Sequence, residues 1–156
     1  MAPLTLWRLV KQKHSATAFS GEGAAWFEGR WNPIGLPVVY LSGTLSLAVL
    51  ELLVHLTLED RRLQFAAIPV EVPEDLAIDT LEPDALPANW RDESIPQETQ
   101  RVGADWAAGK QGALLRAPSV VVPSEHNYLA NPHHPDFSRL NIQPPQPFSF
   151  DPRLAR

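Results

Sequence analysis

The chain contains no cysteine, which excludes a disulfide framework and a thiolate metal site. It has no apolar run near the ~20 residues that a membrane span requires, so no membrane association is expected. Cations are in the minority: 13 Lys and Arg face 18 Asp and Glu, a net charge of -5. Phosphate backbones are gripped by clustered Lys and Arg, so direct binding to nucleic acid is not expected either. The N-terminal MAPLTLWRLVKQKHS puts its lysines after its short apolar turn, the reverse of a secretory signal. A cytoplasmic location is the expectation.

Proline is what the chain has in excess, 16 in 156 residues, crowded between 69 and 96 and again between 118 and 152. Proline lacks a backbone donor and breaks ladders, so loops, turns and short edge strands are expected there, with few long helices. An apolar fraction of 44% with 20% charged residues is that of a globular protein, and the length suits one domain with a real core. The expectation is a single mixed α+β domain over residues 1–156, ending in a Pro-rich extended tail from about 141.

The chain is organised around Gly29 to Glu51, GRWNPIGLPVVYLSGTLSLAVLE. A polar turn holding Arg30, Trp31 and Asn32 leads into a short β-branched strand, Val38 to Leu41. A helix then runs from about Thr44 to Leu58, apolar almost all round, which predicts burial on most sides. Glu51 is the one carboxylate on it. An isolated buried carboxylate is costly unless paired or hydrogen-bonded, so Glu51 pairs with His55, one turn on, occupies the one solvated stripe of the helix, or points into a cleft. Arg30 suits planar recognition of phosphate or carboxylate, the alternative being stacking on Trp31 or a tie to Glu28.

Elsewhere, Thr5 to Val10 reads as a strand whose alternation sets Arg8 among Leu6 and Val10, unless Arg8 snorkels from an edge. The GEG turn, Gly21 to Gly23, fits no phosphate-loop or dinucleotide fingerprint and reads as a loop. Residues 64–73 and 76–79 read as strands, and 96 to about 108 as a helix started by Pro96. Gly103 inside that helix costs about 1 kcal/mol relative to Ala, which points to close packing. Pro118 to Pro123 reads as a strand. His126, His133, His134 and Asp136 lack metal-ligand spacing, so turn and surface histidines, and no metal, are expected there.

Taken together, LWRL, AFSGEGA, GRWNPIGLPVVYLS, LAVLELLVHL, APSVVVP and NYLANPHHPDF, spread over residues 6–137, resemble the RES-domain proteins, the toxin half of RES–Xre toxin–antitoxin pairs in bacteria. The resemblance implies a fold similar to that of ADP-ribosyltransferase toxins. It also implies cleavage of the nicotinamide–ribose bond of NAD⁺, by hydrolysis or phosphorolysis. NAD⁺ would be substrate and phosphate a possible co-substrate, with no separate cofactor. The family's Arg, Glu and Ser carry over to Arg30, Glu51 and Ser119, with Ser124 the competing serine, and Arg8 and Tyr40 fall in pocket-forming motifs. Glu51, Arg30 and Tyr40 are thus the catalytic candidates, and Arg8, Arg30, Tyr40 and Ser119 the substrate-binding ones. The implied partner is an Xre-type helix-turn-helix antitoxin, with a toxin dimer inside the complex. Transfer of ADP-ribose to a protein, or an inactive partner-binding module, are the alternative readings.

Overall fold

The computed structural model describes residues 3–156. Eight strands form one sheet: β1 (Leu4–Lys11), β2 (Val39–Ser42), β3 (Phe65–Val72), β4 (Ile78–Thr80), β5 (Leu114–Pro118), β6 (His126–Ala130), β7 (Asn141–Ile142) and β8 (Gln146–Phe148). Three α-helices accompany them: α1 (Glu22–Trp26), α2 (Leu45–Leu53) and α3 (Gln97–Gly109). The strand order is β4-β5-β6-β2-β1-β3-β7, with β8 also on β3. Among the described residues only β4 and β5 run parallel. The helices and the mixed sheet make the expected α+β fold.

β1 lies inside the sheet between β2 and β3, so Arg8 is not at an edge. Strict alternation sends Leu6 into the core with Val39, Leu41, Val70 and Leu114. It sends Trp7 and Leu9 to the other face, where α2 packs through Leu45, Ala48, Val49 and Leu52. α3 covers a third cluster, in which Val102 and Trp106 lie on Trp31, Leu115, Ala117 and Leu129.

Several local expectations are corrected by tertiary contacts. The helix expected over 44–58 ends at Leu53, because Leu56 closes back on Leu53 and His55 on Leu52 in tight turns. Its outer side carries exposed Leu50 and Val54, so burial is on one face and not all round. The β-branched run Val120 to Val122 is a turn: the Ser119 hydroxyl accepts from the N–H groups of Val121 and Val122. The strand lies just before it, as β5, and His126, expected among turn and surface histidines, opens β6. Gly21 to Gly23 opens α1 with Gly21 at φ 79°. The tail from 141 is not free either: Phe150 is buried and its ring meets Phe65 edge-on at 4.8 Å.

Proline does not confine the strands in its region to edges. Pro69 sits opposite Trp7 inside the eight-residue β3, and its carbonyl accepts from Gln143 N. His134 is buried, with Nδ1 accepting from Asp136 N and Nε2 beside the Lys110 carbonyl. It serves a turn, but not at the surface.

Candidate active site

β1 matches β3 over its whole length but β2 at a single pair, Trp7 with Ser42. Toward Arg8 and Tyr40 no further pair follows, and Arg8 Nη1 donates instead to the Tyr40 carbonyl at 3.0 Å. A cleft of about 730 Å³ opens here, with walls from β1, β2, α2, the turn after β5 and residues 28–31. Arg8, Arg30, Tyr40 and Glu51 all border it.

α2 follows β2 after a two-residue turn and is capped by Thr44, whose Oγ1 accepts from Leu47 N at 3.0 Å, an N-cap. Packing of Ala48 and Leu52 against β1 fixes the helix roll, and that roll brings half-buried Glu51 to the cleft wall. Its Oε1 accepts from Ser119 Oγ at 2.5 Å and from Asn127 Nδ2 at 2.8 Å. Among the described residues no donor reaches Oε2. The pairing with His55 that helical spacing allows is not formed.

Ser119 is fully buried. A hydroxyl has one proton and two lone pairs. Both acceptor positions are taken by Val121 N at 3.1 Å and Val122 N at 3.0 Å, which turns the proton toward Glu51. Ser119 therefore reaches Glu51, with the proton and both lone pairs of its hydroxyl engaged by protein groups. Ser124 lies exposed on the next turn, away from this network.

Tyr40 points from β2 toward the same cleft, but its hydroxyl is committed to the Arg30–Asn32 turn. It donates to Asn32 Oδ1 at 2.6 Å and accepts from Trp31 N at 3.1 Å. Burial pushes the phenol well above its ordinary value, against the smaller opposing pulls of the Trp31 N–H and Arg30. The Asn32 amide nitrogen in turn binds the carbonyls of Ala24 and Phe27. Gly29 is required in this turn because a Cβ there would lie 2.5 Å from Asn32 Oδ1.

Arg30 does not stack on Trp31, which is buried against α3, and Glu28 pairs instead with Gln100 at 3.1 Å. Arg30 Nη1 donates to the carbonyls of Asp92 at 2.6 Å and Trp90 at 3.4 Å, tying the loop that carries Glu93 and Ile95 to the cleft rim. Its Nε and Nη2 have no protein acceptor among the described residues. Arg8 is more committed: Nε binds the Ala18 carbonyl at 2.6 Å and Nη1 that of Tyr40. Burial lowers its pKa to about 10, which still leaves it a cation at neutral pH.

Two members of the network, Asn127 and Ser42, are not among the sequence candidates. Asn127 sits inside the NYLANPHHPDF block and Ser42 ends the VVYLS strand. The signal that links them is the β2–β6 register, which pairs them directly and which the sequence does not display.

The RES domain family model matches residues 5–151. A protein named Toxin Res from Yersinia enterocolitica is 38% identical over 152 residues, covering 97% of this chain and 99% of that protein. A second Toxin Res, from Photorhabdus laumondii, is 36% identical over 154 residues, 98% of each. A Sphingobium protein named Prs ADP-ribosylating toxin is 34% identical over 156 residues, 97% of each. In the crystal structure of the M. tuberculosis MbcT–MbcA toxin–antitoxin complex, one chain superposes with a TM-score of 0.76 at 20% identity. The overlap covers 95% of this chain and 85% of that one, a likeness of fold.

Proposed function

The chain belongs to the RES-domain family, and from that premise we propose that it is the toxin of a toxin–antitoxin pair and cleaves the nicotinamide–ribose bond of NAD⁺. The observation that carries this reading is Glu51, a cleft carboxylate with one oxygen fixed by Ser119 and Asn127 and the other open. Breaking the C1′–N bond sends the electron pair to the pyridinium nitrogen, so nicotinamide leaves neutral and needs no general acid. The positive charge develops on the ribose as an oxocarbenium ion. A preorganised carboxylate beside C1′ or the 2′-OH stabilises that charge as it appears.

Arg30 keeps Nε and Nη2 for the pyrophosphate, for which guanidinium forks are suited. Arg8 contributes mainly field, because its Nε and Nη1 hold the Ala18 and Tyr40 carbonyls. The Tyr40 ring forms wall for the nicotinamide ribose while its hydroxyl holds the Arg30–Asn32 turn. Water captures the oxocarbenium to give ADP-ribose and a proton; inorganic phosphate in its place gives ADP-ribose 1′′-phosphate.

A second reading is transfer of ADP-ribose to a protein nucleophile, favoured by the name of the Sphingobium relative. An Xre-type antitoxin that neutralises the toxin in the cytoplasm, with a toxin dimer inside the complex, completes the proposal. Chromatography of NAD⁺ incubated with the purified chain tests it, with and without phosphate and with cell extract as acceptor source. Free nicotinamide with ADP-ribose or its 1′′-phosphate supports cleavage, and label fixed on protein supports transfer. Intact NAD⁺ in every arm leaves an inactive binding module.

A further inference from the structure

One of the two groups holding Glu51 has its own orientation set from behind. Ser42 and Asn127 are Cα partners across β2 and β6, and Ser42 Oγ donates to Asn127 Oδ1 at 2.8 Å. With its oxygen so engaged, the amide turns Nδ2 toward Glu51. Reversed, it would set an amide oxygen, which can only accept, against the carboxylate. Ser42 is also the one residue of β2 paired with β1, through Trp7. A line of contacts therefore runs from the middle of the sheet to the cleft carboxylate entirely through strands.

We infer that Asn127, oriented by Ser42, is a positioning residue that commits Oε1 of Glu51 to the scaffold and leaves Oε2 as the oxygen that meets the ribose. The inference rests on the NAD⁺-cleavage reading and assigns the second holder of its carboxylate. The terminal carboxylate torsion of glutamate is broad by itself. Donors on one oxygen from two segments, β6 and the turn after β5, remove that freedom. Displacing a catalytic group by about 1 Å can cost about a hundredfold in rate. The other titratable or charged groups on the cleft wall are Arg8, Glu28, Arg30, Tyr40, His55 and Glu93, and none of them hydrogen-bonds Glu51.

The test compares the full chain with Asn127→Asp, Ser42→Ala and Ser42→Thr, reading NAD⁺ consumption across pH and folding by circular dichroism. Asn127→Asp keeps the shape and the Ser42 contact but sets a second carboxylate against Oε1, and such pairs share a proton. The kcat is expected to fall about a hundredfold with KM for NAD⁺ changed less than about threefold. A fall in kcat with KM held, together with rescue at Ser42 by the conservative variant, is what a purely structural role would not produce. Ser42→Ala frees the amide and lowers kcat about tenfold, the loss of one hydrogen bond, and Ser42→Thr restores it.

An Asn127→Asp kcat equal to wild type, or Ser42→Thr no better than Ser42→Ala, overturns the inference while the cleavage reading stands. Should Asn127→Asp fail to fold, the two Ser42 variants decide. A wild-type chain that leaves NAD⁺ intact overturns both.

Discussion

Ser119 and Glu51 are 68 positions apart in the chain and 2.5 Å apart in the fold, hydroxyl to carboxylate. The turn after β5 exists in its form because that hydroxyl also takes the Val121 and Val122 N–H groups. One side chain thus shapes a wall of the cleft and aims the acid inside it.

Ser119→Ala removes both effects. Leaving buried donors unpaired costs about 1–3 kcal/mol, so the melting temperature should drop by several degrees. NAD⁺ turnover should fall about tenfold to a hundredfold as Glu51 loosens. Calorimetry and chromatographic rates on the same preparation check it, and Ser124→Ala, on the exposed turn, should change neither.

Tyr40 should be silent in an alkaline titration of the folded protein. Its phenol is held above the ordinary value of 10.0, chiefly by burial. The folded state therefore keeps a proton that the unfolded chain loses as pH passes that value. The stabilisation is whole below pH 10.0 and declines above it, through the raised folded value. Tyr40→Phe should leave the phenolate absorbance of the native protein up to about pH 10 unchanged. It should also lower stability by about 1–3 kcal/mol, because Trp31 N and Asn32 Oδ1 lose their partner.

Arg30→Lys keeps the charge but not the fork that holds two carbonyls and still faces the cleft. KM for NAD⁺ should rise about tenfold with Lys and further with Ala, the loss of charge-assisted bonds. Steady-state kinetics at two ionic strengths separate charge from loop order. Only Arg30→Ala should flatten the salt dependence.

Gly103 tests the packing of α3 on the Arg30–Asn32 turn. A Cβ there would overlap the Trp31 carbonyl oxygen, and forcing it in should cost about 1–3 kcal/mol, read as a lower urea midpoint. Gly109, with nothing within 4 Å of a Cβ, is the control: Gly109→Ala should hold or raise the midpoint.

These expectations show what the sequence displays and what it conceals. Glu51 stood out because a single acid among leucines breaks an apolar pattern. Arg8 did so because alternation set a guanidinium among core residues. Gly103 was legible as close packing since a helix interior seldom carries glycine without cause. Asn127 and Ser42 were not legible: polar residues ending short strands are ordinary, and only the β2–β6 register makes them neighbours. The Val120–Val122 run misled because β propensity is local, whereas the Ser119 hydroxyl and the closing Ser119 N to Glu125 carbonyl bond decide that turn. The apolar pattern runs past the end of α2 for a related reason. Leu56 and Leu58 continue the apolar composition, while the chain turns after Leu53 to reach β3.

If the open oxygen of Glu51 stabilises the charge that develops on the NAD⁺ ribose, removal of its negative charge should stop turnover. Glu51→Gln keeps the size of the side chain and removes only that charge. Chromatographic assay of the purified, folded variant should show NAD⁺ persisting while wild type releases nicotinamide, a loss of about a hundredfold or more. Nicotinamide release by Glu51→Gln at the wild-type rate would remove the carboxylate from the chemistry.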